Sequence, residues 1–269
     1  MSGVIPITRA GIAMVALHDS TLVWNPPVLR DILTWPLPDL GAGDRLLLRA
    51  LSLLARRHVR AIHGLEHLSP GNDPFILVGN HSTRREAVLL PSLLIFYRGG
   101  RLVHFLADWN FRMIPGIGLI YRRAGTISVA RKSARPRFLN FLKPLFVDSV
   151  RAEERARQHL ALGKSVGIFV EGTVNRDPRR LLAGRSGAAR LSLEAGVPVV
   201  PMGIRYPEAD PTRRIVGPME VFIGPPRVPP SIESSSATLE KVRSWHAVVM
   251  TDVAMLSGKA WQPRKGDRR

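Results

Sequence analysis

The sequence predicts an α/β fold in one domain, with helices flanking a sheet and a helical addition at the N-terminus. Apolar runs of strand length alternate with helical patterns through the middle of the chain, the order that builds βα units. Two of these runs, Phe75 to Gly79 and Ser165 to Val170, stop at polar residues, Asn80-His81 and Glu171. Strands end in this way when they deliver side chains to a crevice at their carboxyl ends. A chain of 269 residues with a hydrophobic fraction of 45% is also long and apolar enough to bury a sizeable core.

Three regions follow from the pattern: an N-terminal loop and amphipathic helix over residues 1–60, the α/β unit over 61–230, and a closing helix with a basic tail over 231–269. Met1 to Gly43 has little periodicity and carries Trp24-Asn-Pro-Pro27 and Trp35-Pro-Leu-Pro38, so it reads as loop packed on something larger. Asp44 is an N-cap candidate for a helix over Arg45 to Arg60. At 100° per residue, Arg45, Arg49, Arg56 and Arg60 fall on one stripe beside a broad leucine surface. That suits either a helix lying in a bilayer interface or one packed on the core with its charged side in water.

Val59 to His67 then reads as a short strand turning at Gly64, and Ser69 to Pro74 as a turn. The strand ending at Gly79 leads into a helix over Arg84 to Phe96, which places His81 on the strand-to-helix turn. Arg101 to Leu106 reads as strand, and Val147 to Leu162 as a helix stopped by Gly163. A second βα step follows, from Ser165 to Val170 through an arginine-bearing loop at Arg179 to Gly187 to a helix over Ala188 to Ala195. Val197 to Ile204 is apolar strand, Met219 to Pro226 a late strand and Ala237 to Leu256 the closing helix.

The charge narrows the function classes. With 39 Lys+Arg against 21 Asp+Glu the net charge is +18, which points to an anionic partner. No nucleic-acid signature accompanies it and aromatic residues are only 6%, which favours an anionic membrane surface or phosphorylated substrates over nucleic acid. The absence of cysteine excludes disulfides, thiol nucleophiles and Cys-ligated metals. No run approaches the ~20 apolar residues of a bilayer span, and Met1 to Ser20 lacks the pattern of a secretory signal.

His81 and Glu86 form the chemical centre of this reading. A histidine titrating near neutrality can accept a proton, and a carboxylate on its other nitrogen fixes the tautomer and stabilises the imidazolium. The block containing the pair, Gly79-Asn-His-Ser-Thr-Arg-Arg-Glu86, resembles the N-H-x4-D motif of the glycerolipid and lysophospholipid acyltransferases, with Glu for Asp. Further blocks follow in that family's order: Gly125 to Arg131, Phe169-Val-Glu-Gly-Thr173 and Val197-Pro-Val-Val-Pro201. Arg185-Ser-Gly-Ala188 is similar to the family's K-x-G-A segment.

The resemblance implies a mixed central sheet flanked by helices, the glycerol-3-phosphate acyltransferase-like fold. It also implies acyl transfer from acyl-CoA or acyl-ACP to a hydroxyl of a lysophospholipid such as 1-acylglycerol 3-phosphate, without metal or bound cofactor. His81 would be the base and Glu86 its partner. Arg131, Glu171, Gly172, Thr173, Arg176 and Arg185 would form the acceptor site, and the protein would sit peripherally on the cytoplasmic face of a membrane. The family's third motif commonly reads F-P-E-G-T-R-S-R, whereas this chain has Val170 for the proline and Val174 for the first arginine. That loss directs attention to acceptors beyond lysophosphatidic acid. Two other readings stand beside acyl transfer: a thioester or lipid hydrolase using the same pair with water as acceptor, and a non-catalytic binder of anionic membrane or nucleic acid, which would explain the charge and make the motifs remnants of the fold.

Overall fold

The computed structural model describes residues 22–113, 116–129, 137–142, 150–208, 217–231 and 238–263. Its strands are β1 (Val23–Trp24), β2 (Val59–His63), β3 (Ile76–Gly79), β4 (Val103–Asp108), β5 (Ile127–Val129), β6 (Ser165–Phe169), β7 (Val199–Arg205) and β8 (Met219–Ile223). The α-helices among the described residues are α1 (Leu29–Thr34), α2 (Ala42–Ala55), α3 (Glu86–Tyr97), α4 (Ile117–Arg123), α5 (Ala152–Ala161), α6 (Gly187–Ala195) and α7 (Leu239–Ser257).

The strands form one sheet in the order β1-β2-β8-β7-β3-β6-β4-β5. β3 is parallel to both of its neighbours, β6 and β7, while the pairs β7–β8 and β1–β2 are antiparallel, so the sheet is mixed as expected. Every residue of β3 is buried, which is why its sequence is continuously apolar and not alternating. Successive side chains still point to opposite faces. Leu77 joins the layer containing α2 and α3, whereas Ile76 and Val78 join the layer containing α5, α6 and α7. β3 is therefore covered on both sides, and only its carboxyl end is available for chemistry.

The N-terminal elements depart from the sequence reading. The helix expected over Arg45 to Arg60 runs from Ala42 to Ala55, and Arg60 belongs to β2, where pairing with β8 begins at Val59. Sheet hydrogen bonding overrides the helical pattern at that end. The segment expected to be loop contributes β1 and α1, and Trp24, Ile32 and Leu37 enter the same core as Phe75 and Leu77. On α2 the arginines are not a free stripe. Arg45 Nε donates to the carbonyls of Leu37 and Leu40 at 3.1 and 2.8 Å, and Arg49 reaches the Trp35 carbonyl. Leu48, Ser52 and Ala55 turn inward at helical spacing, leaving Leu46 73% exposed on the opposite side together with Leu53 and Leu54.

A buried ionic cluster fixes the start of β3. Arg98, at the end of α3, donates to both oxygens of Asp73 at 2.8 Å and to the Leu68 carbonyl, while Arg101 Nε lies 3.0 Å from Asp73. Ser165 Oγ donates to Asp73 and accepts the Phe75 N–H at 3.1 Å, which locks β3 to β6 at their first residues. Burial pulls the Arg98 guanidinium down from its usual range, and Asp73 holds it up. Removing one member of such a pair strands the other charge. Asp73→Ala should lower the unfolding free energy by about 3–5 kcal/mol in urea titrations. Arg227→Ala removes a half-exposed guanidinium 2.9 Å from the largely buried Asp252 and should cost less, about 1–3 kcal/mol.

On the β4 side, the His104 and His159 rings stack at 4.2 Å, and His104 Nδ1 donates to the Gly125 carbonyl at 2.9 Å. Burial, with His104, Lys164 and Arg155 nearby, pushes His159 from 6.5 down to about 4. Between those values the unfolded chain binds a proton that the folded chain refuses. The contribution is thus full above pH 6.5 and is lost as the pH falls to about 4. His159→Gln should flatten the fall of the urea midpoint across that window, and an unchanged slope would remove this assignment.

Candidate active site

Parallel pairing brings the two motif-bearing strand ends together. Gly79 is in register with Phe169 of β6 and with Met202 of β7, and the Val170 N–H continues the ladder to the Gly79 carbonyl at 3.0 Å. A side chain at position 79 would displace the end of the Met202 side chain, since a Cβ there would lie 2.5 Å from its Cε. The next residue, Asn80, is fully buried and acts as an extra rung. Its Oδ1 accepts the Ile204 N–H at 2.7 Å and its Nδ2 donates to the Ile204 carbonyl at 3.1 Å. With Asn80 bound sideways to β7, the chain turns and His81 emerges at the strand end.

His81 Nδ1 lies 2.8 Å from Glu86 Oε2, across the turn that opens α3. Glu86 is in the first turn of this helix, where the backbone dipole favours a carboxylate, and it is 0% exposed. The same Oε2 accepts the Ser82 N–H at 2.8 Å. Its Oε1 accepts the Tyr206 hydroxyl at 2.7 Å, and Thr83 Oγ1 lies 2.9 Å from that hydroxyl. Burial first, and then Glu86, pushes the Tyr206 phenol well above its ordinary value, so Tyr206 remains a donor. An ionised carboxylate can only accept. Against such a carboxylate Nδ1 is the ring nitrogen that donates, which leaves Nε2 as the nitrogen not engaged by Glu86. The ring is stacked on Phe169 with centroids 4.4 Å apart and planes 21° apart, which fixes its orientation.

Glu171, 4% exposed at the end of β6, braces the other side of the turn. Its Oε2 accepts the backbone N–H of His81 at 3.0 Å, and its Oε1 accepts Asn175 Nδ2 at 2.6 Å and the Leu182 N–H at 2.8 Å. Asn175 returns the connection by donating its N–H to the His81 carbonyl at 2.7 Å. Gly172 follows at φ 67°, a left-handed conformation that glycine adopts without strain. Its missing side chain makes room for Arg185, because a Cβ there would lie 2.3 Å from Arg185 Nε.

These groups open onto a cleft of about 2930 Å³. His81, Glu171, Gly172, Thr173, Arg176 and Arg185 line it, while Glu86 is buried behind His81 and does not. Arg131 lies outside the described residues. Both Glu171 oxygens are taken by protein donors, which makes the carboxylate a brace for His81, whereas Thr173, Arg176 and Arg185 are exposed to the cleft. Toward α2 and β4 the wall is apolar, with Leu47, Leu51, Ile95, Phe105 and Leu106.

Comparisons with known proteins bear on the family and the fold. An acyltransferase family model matches residues 59–205. A chloroplastic 1-acyl-sn-glycerol-3-phosphate acyltransferase of Brassica napus is 30% identical over 141 residues, covering 52% of this chain and 36% of the Brassica protein. A lyso-ornithine lipid O-acyltransferase of Pseudomonas aeruginosa is 31% identical over 134 residues, covering 49% of this chain and 43% of that protein. The chain thus spans less than half the length of those two relatives. The crystal structure of the 1-acyl-sn-glycerophosphate acyltransferase PlsC from Thermotoga maritima superposes with a TM-score of 0.53 at 20% identity, covering 86% of this chain and 89% of that one, which shows a common fold.

Tyr206, Asn175 and Lys259 also belong to this site, although sequence reading gave them no role. Tyr206 stands 120 positions from Glu86, and no local spacing announces such a contact. Lys259 Nζ donates to Ser82 Oγ at 3.0 Å across 177 positions. Tyr206→Phe would leave one oxygen of the buried Glu86 carboxylate without its side-chain donor. The expected cost is about 1.5–3 kcal/mol of unfolding free energy, read from denaturant midpoints. A cost near zero would show that water replaces the hydroxyl.

Proposed function

The chain belongs to the acyltransferase family, and on that premise we propose that it moves a fatty acyl group from an acyl-CoA or acyl-ACP thioester to a hydroxyl of a lysophospholipid-like acceptor. The observation that carries this reading is the His81–Glu86 contact at 2.8 Å, which leaves Nε2 as the basic nitrogen at the cleft. Nε2 takes the acceptor's O–H proton as that oxygen attacks the thioester carbonyl carbon. The C–S bond then breaks, and the imidazolium returns the proton to the departing thiolate. Glu86 stabilises the imidazolium in between, in the manner of the acid in a Ser-His-Asp triad, but the nucleophile is the substrate's own hydroxyl. The reaction as proposed needs no metal and no bound cofactor.

Arg176 and Arg185, exposed on the same cleft, are assigned to the anionic head group of a substrate, with Arg131 as their partner from the second motif. The names of the two relatives carry different acceptors, a glycerol phosphate and an ornithine lipid. With Val174 in place of the motif's arginine, both acceptor types belong in the assay. The apolar wall by Leu47, Leu51 and Phe105 suits an acyl chain. Among the described residues no helix is long and apolar enough to cross a membrane. The exposed Leu46, Leu53 and Leu54 of α2, on a chain of net charge +18, are assigned to the surface of an anionic membrane at its cytoplasmic face, where such a substrate resides.

The test is thiol release from acyl-CoA and acyl-ACP by the purified protein, with and without lysophosphatidic acid and lyso-ornithine lipid. Acceptor-dependent release should fall about 10²- to 10⁴-fold in His81→Ala. Release that needs no acceptor would instead identify a thioester hydrolase. If His81→Ala matches the wild type, the assigned base is wrong.

A further inference from the structure

Lys259 lies beyond the family-matched span of residues 59–205, in the segment that follows α7, and it is only 8% exposed. A buried ammonium is costly unless it is compensated, so its surroundings need an account. Gly258, at φ 68°, turns the chain back at the end of α7. The Ala260 N–H then donates to the Arg179 carbonyl at 2.8 Å, and the Leu181 N–H donates to the Ala260 carbonyl at 2.9 Å. This clasp joins the C-terminal segment to the loop that carries Glu171, Asn175 and Arg185. It aims Lys259 inward, where Nζ donates to Ser82 Oγ at 3.0 Å and to the Asp177 carbonyl at 2.8 Å.

Both contacts bear on His81. Ser82 is the next residue, and its N–H holds Glu86 Oε2 at 2.8 Å. Asp177 belongs to the loop whose Asn175 N–H binds the His81 carbonyl at 2.7 Å. The ammonium therefore ties the two walls of the His81 turn together. It also brings a positive charge to a site that buries the carboxylates Glu86 and Glu171 at 0% and 4% exposure. A nearby carboxylate favours an imidazolium over the free base, and a nearby ammonium opposes that effect. Burial lowers the Lys259 ammonium from its ordinary value, and Glu171, Glu86 and Asp177 oppose that shift.

We infer that Lys259 is a positioning residue that clamps the His81 turn to the Glu171 loop and sets a positive charge against the two buried carboxylates beside the base. The inference deepens the acyltransfer reading and rests on it for its catalytic consequence. The charged and titratable groups around the turn are Glu86 and Tyr206 from α3 and the end of β7, Glu171 and Asp177 from the β6 loop, Lys259 itself, the exposed Arg84 and Arg85, and Arg176 and Arg185 across the same cleft.

The experiment compares wild type, Lys259→Met and Lys259→Arg in the full chain. One readout needs no activity: the titration of the His81 imidazole by NMR, assigned by its loss in His81→Ala. In Lys259→Met the His81 midpoint should rise by about one pH unit, and in Lys259→Arg it should stay near the wild-type value. The second readout is acceptor-dependent thiol release. Its kcat should fall about ten- to a hundredfold in Lys259→Met, with the acidic limb of the pH profile moving up together with the imidazole midpoint. An unchanged His81 midpoint in Lys259→Met overturns the inference, even if kcat falls, because a purely structural lysine would produce that result. A shifted midpoint in a protein whose wild type transfers no acyl group supports the role of Lys259 and refutes the acyltransfer reading. If Lys259→Met does not fold, Lys259→Gln, which removes the charge and keeps a donor for Ser82 Oγ and the Asp177 carbonyl, is read in the same way, and no rise overturns the inference.

Discussion

The Glu86 carboxylate is sealed from water at the first turn of α3, and burying an ionised group there requires that both oxygens find donors within the protein. The donors it finds are the Ser82 N–H, the His81 ring and the Tyr206 hydroxyl, and satisfying them determines the shape of the turn. His81 is thereby held by the desolvation of its partner as much as by its own packing. The cost of leaving any of these bonds unmade exceeds the gain of making it, which is why such a network rigidifies what it surrounds. The Phe169 face then leaves the ring a single orientation.

The sheet makes that network possible. β3, β6 and β7 are parallel, so three carboxyl ends come level, each contributing to the site: Asn80 and His81 from the first, Glu171 from the second, and Ile204 and Tyr206 from the third. Parallel strands need long connections, and here those connections bring α3 and the Glu171–Leu182 loop over the strand ends. Two helical layers cover the faces, leaving the crevice outside the carboxyl ends as the place for a ligand. The buried Asp73–Arg98 cluster at the opposite end of β3 sets the register on which this alignment rests.

Charge is distributed by depth. The carboxylates nearest His81 point inward and are consumed by protein donors, while Arg176 and Arg185 stand exposed on the cleft, where they can meet an anion. The excess of basic residues is thus not uniformly a surface field. Arg45 and Arg49 hold backbone carbonyls, Arg98 is buried with Asp73, and Lys259 is buried behind the base.

Much of this was legible in the sequence, and the part that was legible is local. Continuous apolar runs ending in Asn80-His81 and Glu171 marked buried strands delivering polar groups, because strand burial and a sudden change of polarity are properties of adjacent residues. The His81–Glu86 pair was marked by the resemblance of its block to the N-H-x4-D motif and not by its spacing alone, and that motif too is a run of neighbouring residues; Gly172 stood beside Glu171 in another such block. The helix end at Ala55 was not legible, because pairing of β2 with β8 decided it from 160 positions away, as between Val59 and Met219. Nor were Tyr206 and Lys259, which reach the site only when β7 and the segment after α7 are folded against the His81 turn. The sequence by itself determined the layers of the fold and singled out His81 and Glu86 as a pair on the strand-to-helix turn. Only the tertiary structure decided which groups satisfy the buried charges, because desolvation is created when distant segments close over a site and has no signature in the spacing of residues along the chain.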